Sequence, residues 1–219
     1  MRTRRLREFS RLAALVFSVV CLTTPAWADF KAGEKAYQRN DYGTALREWQ
    51  PLAKQGQAAA QYQLGLLYAN GQGVPKDDAQ ARQWYEKAAS QGHALAQVNL
   101  ASLYDYARGG SQDFRLAVRW YLRAANQGND LAQQRLGLLY ERGDGVPKDF
   151  VQAYMWYKLG TAKGVTPGTI RRDDLASRMT SDQLAAAKKL AREWQPKPLA
   201  PPPSQTRPKH SRLAQEPPI

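Results

Sequence analysis

Residues 60–77 read AQYQLGLLYANGQGVPKD, and a near copy, AQQRLGLLYERGDGVPKD, occupies residues 132–149. Between them, residues 96–113 read AQVNLASLYDYARGGSQD, which keeps the first half of the pattern and changes the second. The three stretches begin 36 residues apart, and a fixed spacing of this kind indicates an internal structural repeat. We place the repeated units at residues 57–92, 93–128 and 129–164.

Each unit is predicted to form two helices. In the first unit, Ala60, Leu64 and Tyr68 recur at helical spacing. Pro75 cannot continue that helix because proline lacks an amide donor, and Asp77 then offers an N-cap for a second helix. A lone helix pair cannot bury both of its faces, so neighbouring pairs must stack. The sequence therefore predicts an all-α protein, an α-solenoid of stacked antiparallel helix pairs.

The middle unit departs from its two neighbours. Gly109 keeps one glycine of the turn between the helices, but the Val-Pro pair that follows it in the other units is lost. Ala101 stands where the other units have Gly65 and Gly137. We predict a looser turn and a modest shift of helix packing in this unit, within the same fold.

The flanking segments are predicted to cap the stack of repeats. Residues 29–56 look like a shortened first helix pair and would form an N-terminal capping hairpin. Residues 165–195 would form the C-terminal capping region, with a helix that begins near Thr180. Tryptophans recur with spacings of 35 to 38 residues, which predicts one tryptophan wedge in each unit. They are Trp49, Trp84, Trp120, Trp156 and Trp194.

Residues 196–219 form a segment of different composition. They hold eight of the 13 prolines, and four basic residues stand against one acidic residue. A segment with so little apolar side-chain volume cannot build a core, so we expect a disordered, Pro-rich basic tail.

Residues 1–28 carry the three parts of a secretory signal peptide. Five arginines precede an apolar run, and Ala26-Trp27-Ala28 then supplies the small residues of a cleavage site. The apolar run covers residues 12–24, which is too short to cross a bilayer as an uncleaved anchor. We therefore expect cleavage after Ala28, export to the periplasm or the exterior, and no stable membrane span after cleavage.

Two other kinds of signal are less favoured at this end. Arg4-Arg5 would suit a twin-arginine signal, but the charged Arg7 and Glu8 stand where apolar residues are expected. Cys21 would suit lipid attachment, but the bulky Val20 precedes it where a small residue is normally required. The sequence alone leaves the choice between general and twin-arginine export open.

Composition excludes several broad classes of protein. The chain has 219 residues, of which 43% are hydrophobic. Its mean hydropathy of −0.63 excludes a polytopic membrane protein. The formal net charge is +13, and removal of residues 1–28, with five arginines and one glutamate, lowers it to +9. The single cysteine, Cys21, excludes a disulfide framework and a Cys-based zinc site.

Residues 60–77, together with the Trp84-Tyr85 pair and Gly92, resemble the Sel-one-like repeat, a relative of the tetratricopeptide repeat. Residues 132–164 match nearly as well, and residues 96–128 match apart from the altered turn. The resemblance implies a right-handed superhelix used for protein–protein interaction, with no shared catalytic residues. Exported members of the family look like adaptors, regulators of envelope signalling or parts of polysaccharide-export machinery.

The sequence offers no arrangement of residues suited to catalysis. His93 stands at a turn between repeats, where a structural role is the simplest interpretation, and His210 lies in the predicted tail. The sequence contains neither a Gly-x-Ser-x-Gly nor a His-Glu-x-x-His motif, and no cysteine follows residue 28. We therefore predict a protein that is not an enzyme and that carries no cofactor or metal.

The first helix of each unit is expected to line the concave side of the solenoid. Positions one helical turn from Leu64 and Tyr68 would then face the groove, and their mixture of aromatic, aliphatic and amide groups suits a peptide or a partner helix. Ordinary solvent exposure or packing between helices remains the alternative. The predicted partner-binding residues are Tyr62, Leu66, Asn70, Val98, Ser102, Tyr106, Gln134, Leu138 and Arg142.

A row of arginines marks a second surface. Arg115, Arg119 and Arg123 stand four residues apart and therefore share one face of a helix. This row is either an ordinary solvated face or an anion-binding strip for an acidic protein or an envelope polymer.

These observations predict a non-catalytic scaffold or adaptor in the cell envelope. It would bind a partner protein through the concave repeat surface, with regulation of envelope signalling as one such role. The alternative is an accessory protein of envelope polysaccharide assembly or export that contacts an anionic polymer through its basic residues. Nucleic acid is not an expected partner of an exported chain.

Overall fold

The computed structural model describes residues 29–162, 164 and 167–196, and all regular structure within them is helical. The predicted all-α class is therefore confirmed, whereas the predicted signal peptide and residues 197–219 of the predicted tail lie outside the described residues. The helices are α1 (Phe30–Gln38), α2 (Tyr42–Lys54), α3 (Ala58–Asn70), α4 (Asp78–Ser90), α5 (Ala94–Asp105), α6 (Phe114–Asn126), α7 (Asp130–Arg142), α8 (Phe150–Gly160), α9 (Pro167–Ser177) and α10 (Ser181–Glu193).

Successive helices pack against each other from α1 to α8, so the chain forms stacked hairpins. The pattern changes after α8, because α9 and α10 both pack on α8. α10 begins directly after its N-cap Thr180, where the sequence predicts a helix start, and the side chains of Thr180 and Gln183 bond to each other's backbone N–H groups in a capping box. α9 was not predicted from the sequence, because its exposed Ile170 and buried Leu175 make too weak an apolar stripe.

The second helix of each repeat starts at an aspartate, as predicted. The Asp77 carboxylate accepts backbone N–H groups of Ala79 and Gln80, both at 2.9 Å. Asp113 and Asp149 cap α6 and α8 in the same way. These carboxylates satisfy amide donors that have no partner inside the helix and interact favourably with its positive end.

One large aromatic residue from each second helix fills the interior of its hairpin. These residues are at most 2% exposed, and they are spaced by 36 residues. They are Trp49, Tyr85, Tyr121 and Tyr157.

The prediction of tryptophan wedges needs a correction at two positions, where the tryptophan packs against the core but does not take the most buried position. Trp84 and Trp120 are only partly buried, and a cation lies over each ring. Lys87 Nζ is 4.1 Å from the centre of the Trp84 ring, and Arg123 Cζ is 4.5 Å from that of Trp120. Neighbouring helical positions point about 100° apart, so the tyrosine that follows each tryptophan takes the core position.

A small residue on the first helix makes room for each buried ring. A methyl group added to Gly137 would lie 2.5 Å from the Tyr157 ring, and one added to Gly65 would overlap the Tyr85 ring. Ala101 occupies the equivalent position in α5 and is fully buried. Because these residues are small, the backbone of the first helix lies directly against the buried ring, and the interior of the hairpin is densely packed.

Buried glutamines connect successive helix pairs. The Nε2 groups of Gln61, Gln97 and Gln133 donate to carbonyl oxygens near the end of the preceding second helix, at 3.1 to 3.2 Å. Gln97 Oε1 in turn accepts from Gln127 Nε2 at 2.8 Å, and Gln91 bonds to Gln61 in the same way. These bonds satisfy helix-end carbonyls that would otherwise be buried without partners.

The turn inside each repeat rests on the preceding repeat. Gly73, Gly109 and Gly145 have φ values of 70° to 73°, and each glycine lies against the backbone at the start of the preceding second helix. A side chain there would be strained by the backbone and would collide with that helix.

The middle turn keeps this conformation, contrary to the prediction of a looser turn. Arg108 contributes two bonds to Asp78, from Nε at 3.1 Å and from Nη2 at 2.6 Å. These bonds tie the turn to α4, and the positions equivalent to Arg108 in the other repeats are Gln72 and Asp144. Ala107 adopts φ of 57°, at the position where the other repeats have glycine.

None of the helices among the described residues has both the length and the apolar character that crossing a membrane requires.

Replacing Gln97 by leucine tests the glutamine connection. The variant leaves the Ala89 carbonyl and the Gln127 amide without their buried partner. We expect Gln97→Leu to lower the free energy of unfolding by about 2–3 kcal/mol. Gln83→Leu, at an exposed position of α4, is the control and should change it by less than about 0.5 kcal/mol. Urea unfolding followed by far-ultraviolet circular dichroism gives both values, and equal stability of the two variants would contradict the assignment.

Candidate partner-binding surface

The predicted partner-binding residues lie on α3, α5 and α7, apart from Tyr106, which directly follows α5 as its C-cap. They form three rows, each made of residues at the same position in successive repeats. The row of Tyr62, Val98 and Gln134 is engaged in packing. Tyr62 stacks on His93 with ring centres 4.6 Å apart, and Val98 is only 4% exposed. Gln134 Nε2 donates to the Gly160 carbonyl at 2.8 Å. This row therefore holds the structure together, and Val98 does not face solvent.

The other two rows are more open. Leu66, Ser102 and Leu138 are half-buried. The row formed by Asn70, Tyr106 and Arg142 is exposed at the C-terminal ends of the three helices.

The structure adds residues that the sequence analysis missed. Leu95 and Leu131 occupy the same repeat position, in the first turns of α5 and α7, and are 49% and 52% exposed. Arg135 reaches across from α7, and its Cζ lies 5.3 Å from the centre of the Tyr106 ring. The sequence did contain a signal for the two leucines. They recur after 36 residues at a position outside the predicted apolar stripe, where packing within the repeat does not require leucine.

We call the open residues of these helices the first-helix surface. It consists of Leu66, Asn70, Leu95, Ser102, Tyr106, Leu131, Arg135, Leu138 and Arg142.

The first-helix surface ends in a groove between α7 and α9. The groove has a volume of about 300 Å³, and we call it the α7–α9 groove. It is lined by Leu131, Gln134, Arg135, Leu138, Tyr157, Pro167, Gly168 and Arg171.

The Glu141 carboxylate connects the helices next to the groove. Glu141 accepts a hydrogen bond from the Tyr157 hydroxyl at 2.8 Å, and Arg178 donates to its other oxygen. Arg178 also pairs with Asp174 at 3.1 Å. α7, α8 and the end of α9 are thereby held together, and the charge of Glu141 is already compensated.

Burial shifts the pKa of several groups near the surface. Burial raises the pKa of Asp105, whose Oδ2 lies 3.4 Å from the Tyr121 hydroxyl, and the positive charge of Arg135 opposes this shift. Burial also raises the pKa values of Tyr85, Tyr121 and Tyr157, so these phenols stay neutral. In the part of the chain that the structure describes, no group of three or more His, Cys, Asp or Glu side chains could hold a metal ion.

The predicted arginine strip lies on α6. Arg115 and Arg119 are exposed, while Arg123 is half-buried over Trp120. Among residues 29–162, 164 and 167–196, none of these arginines forms an ion pair with a carboxylate. Their spacing on one face is as predicted.

His93 joins two repeats and also caps a helix. Its Nδ1 accepts the backbone N–H of Ala96 at 3.2 Å, as the Asn129 side chain accepts that of Ala132 one repeat later. Partial burial, which disfavours the charged ring, lowers the pKa of His93. The ring also stacks on Tyr62. His93, predicted from the sequence as a turn residue, is therefore the N-cap of α5, where the first and second repeats meet.

Comparison with known families identifies the repeated unit. The family profile described as "Sel1 repeat" matches residues 58–93, 94–129 and 130–165, each one residue later than the units placed from the sequence. No match is found among curated proteins.

Solved structures of similar fold include two repeat proteins. A Sel1 repeat protein from Oxalobacter formigenes is 31% identical, with a TM-score of 0.62, and the match covers 74% of this chain and 68% of that one. The protective antigen c5321 of uropathogenic Escherichia coli, which displays an SLR fold, is 28% identical, with a TM-score of 0.52. That match covers 74% of this chain and 44% of the antigen.

His93 gives a pH dependence that can be measured. A lowered pKa means that folding favours the neutral ring, so the stability it contributes is present above pH 6.5 and is lost as the pH falls further. His93→Asn keeps a capping side chain, as at Asn129, and removes the titration. We expect the melting temperature of the unchanged protein to fall more between pH 7.5 and pH 5 than that of the variant. Parallel curves for the two proteins would contradict this role of His93.

Proposed function

The chain belongs to the Sel1 repeat family, whose members are typically scaffolds for protein–protein interaction, and on this premise we propose that it is an envelope adaptor. It would bind a partner protein on the first-helix surface and would act without chemical turnover.

The exposure of large apolar side chains on this surface is the observation that carries the proposal. Leu95, Tyr106 and Leu131 are each about half exposed, although neighbouring side chains of the same helices are buried. Exposed apolar and aromatic residues concentrated on one side of a protein are typical of interaction sites. Tyrosine and arginine, which meet here as Tyr106 and Arg135, are enriched among residues that dominate binding energy.

The rigidity of the scaffold supports recognition by a preformed surface. Each first helix is held by a buried ring, by a glutamine bonded to the preceding pair and by a turn that rests on that pair. A surface that is already ordered loses little conformational entropy on binding, so more of the contact energy appears as affinity.

An N-terminal signal supports the envelope as the site of action. Residues 1–28 carry the arginine-rich start, the short apolar run and the cleavage pattern of an exported protein. We propose removal of this segment and function in the periplasm or outside the cell.

Fractionation tests export. The chain expressed with its own N-terminus in a Gram-negative host should be recovered from the periplasmic or the extracellular fraction, with Asp29 as its first residue by Edman sequencing. Replacing Arg4 and Arg5 by lysine separates general from twin-arginine export. Recovery of the uncleaved chain from the cytoplasm alone would overturn the proposal of export.

A second candidate function rests on the arginine strip. Arg115 and Arg119 project from α6 into solvent without a carboxylate partner among the described residues. Regularly spaced cations attract polyanions, so this face would suit an accessory protein that contacts an anionic envelope polymer.

Capture from an envelope extract compares the two surfaces. Tyr106→Ser with Leu131→Ser removes two exposed anchors, and Leu190→Ser removes an exposed leucine from α10 as the control. We expect the double variant to lose at least ten-fold of a specifically captured protein, while the control retains it. Equal capture by the double variant would contradict binding through the first-helix surface.

The same assay includes Arg115→Gln with Arg119→Gln. Adaptor function predicts unchanged protein capture by this strip variant. Retention of the unchanged protein on an acidic-polysaccharide column, with loss of retention by the strip variant, would favour the second candidate.

A further inference from the structure

We propose that the α7–α9 groove binds an acidic peptide segment that carries one large apolar residue. This inference rests on the proposed adaptor function and adds the chemistry of the segment that the partner presents.

The groove has the size and lining for one apolar side chain and the backbone beside it. Its volume is about 300 Å³, at the lower end of the range for binding pockets. Leu131, Leu138 and Pro167 supply its apolar walls, and Leu131 is 52% exposed in the absence of a partner. Insertion of an aliphatic or aromatic side chain would bury this exposed surface.

The walls of the groove are fixed by close packing around Gln134. Gln134 donates to the Gly160 carbonyl at 2.8 Å, which joins α7 to the end of α8. A methyl group added to Gly168 would lie 2.8 Å from Gln134 Oε1 and 3.0 Å from Thr161 Cγ2. Glycine at this position lets α9 approach α7 closely, so the groove is shaped before a ligand arrives.

The rim of the groove is positively charged. Arg135 and Arg171 both line it, and within the described chain neither forms an ion pair with a carboxylate. Asp105 offsets part of the charge of Arg135, but it is a buried group whose pKa is raised by burial. α9 also begins beside the groove, at Pro167, and thus adds the positive end of a helix dipole.

Nearby carboxylates are occupied by other cations. Asp173 pairs with Arg172 at 2.7 Å, and Asp174 and Glu141 both pair with Arg178. Asp130, at the start of α7, also forms an interaction of its own. The positive charge at the rim therefore comes from Arg171 and from the part of the Arg135 charge that Asp105 does not offset.

Charge complementarity selects the occupant. Arginine binds carboxylates through two parallel hydrogen bonds, so Asp or Glu residues on either side of the apolar anchor match the rim. The chain's own residues 196–219 carry four basic residues and one acidic residue, and the chain without residues 1–28 has a net charge of +9. Like charge therefore disfavours both this segment and a second copy of the chain as the occupant.

Selection from a phage library of random 12-residue peptides, with the full chain after signal removal as bait, tests the proposal. We expect enriched peptides to carry two or more Asp or Glu residues within three positions of a Leu, Ile or Phe. Binding of a synthetic enriched peptide, measured by fluorescence anisotropy, should be at least ten-fold weaker for Arg135→Gln with Arg171→Gln. Arg171→Gln alone should weaken it at least three-fold, and this variant leaves the contact between Arg135 and Tyr106 in place.

Arg115→Gln with Arg119→Gln is the matched control, because it removes the same charge from α6, which contributes no residue to the groove lining. It should bind the peptide within two-fold of the unchanged chain. Enrichment of neutral or basic peptides, no enrichment, or equal loss of binding in the control variant would each overturn the proposal. Capture of a partner that depends on Tyr106 and Leu131 but not on Arg171 would leave the adaptor function standing while this inference fails.

Discussion

A buried aromatic ring pressed against a residue with little or no side chain is the contact on which each hairpin depends. Trp49 and Tyr157 illustrate its two chemical forms, one indole and one phenol, at equivalent positions. The ring is buried between the two helices, and the opposing Gly33 or Gly137 lets the first helix approach it closely. Because the same contact recurs after 36 residues, each hairpin has nearly the same shape and can stack on the one before it.

Stacking then decides which side chains remain open. Tyr62 and Gln134 are drawn into contacts with the following helices, whereas positions such as Leu95 and Tyr106 are left facing solvent. α9 interrupts the regular pattern after the last repeat and gives the open surface a groove at one end. The first-helix surface is the surface that the stacked repeats leave uncovered, and it is where a partner would bind. Its side chains differ from repeat to repeat, whereas the backbone beneath them is nearly the same in each.

Periodicity made the helical hairpins and their caps predictable, since Asp77 and its equivalents mark the start of each second helix. Periodicity did not show whether Trp84 or Tyr85 is the core residue. Both are large and aromatic, and which of them faces the interior depends on the rotation of the helix about its axis. The row containing Val98 was misplaced for a related reason: burial there depends on the next hairpin, which the pattern of a single unit does not describe. α9 carries too few apolar residues to be recognised alone, so the groove that it completes could not be predicted.

Site-specific photo-cross-linking in living cells tests most directly whether the first-helix surface is where a partner binds. A photoreactive phenylalanine derivative is placed at Tyr106 or at Arg119, two exposed positions on different helices. Irradiation should give a discrete adduct with another protein from position 106 and no such adduct from position 119. An adduct from position 119 together with none from position 106 would contradict the account.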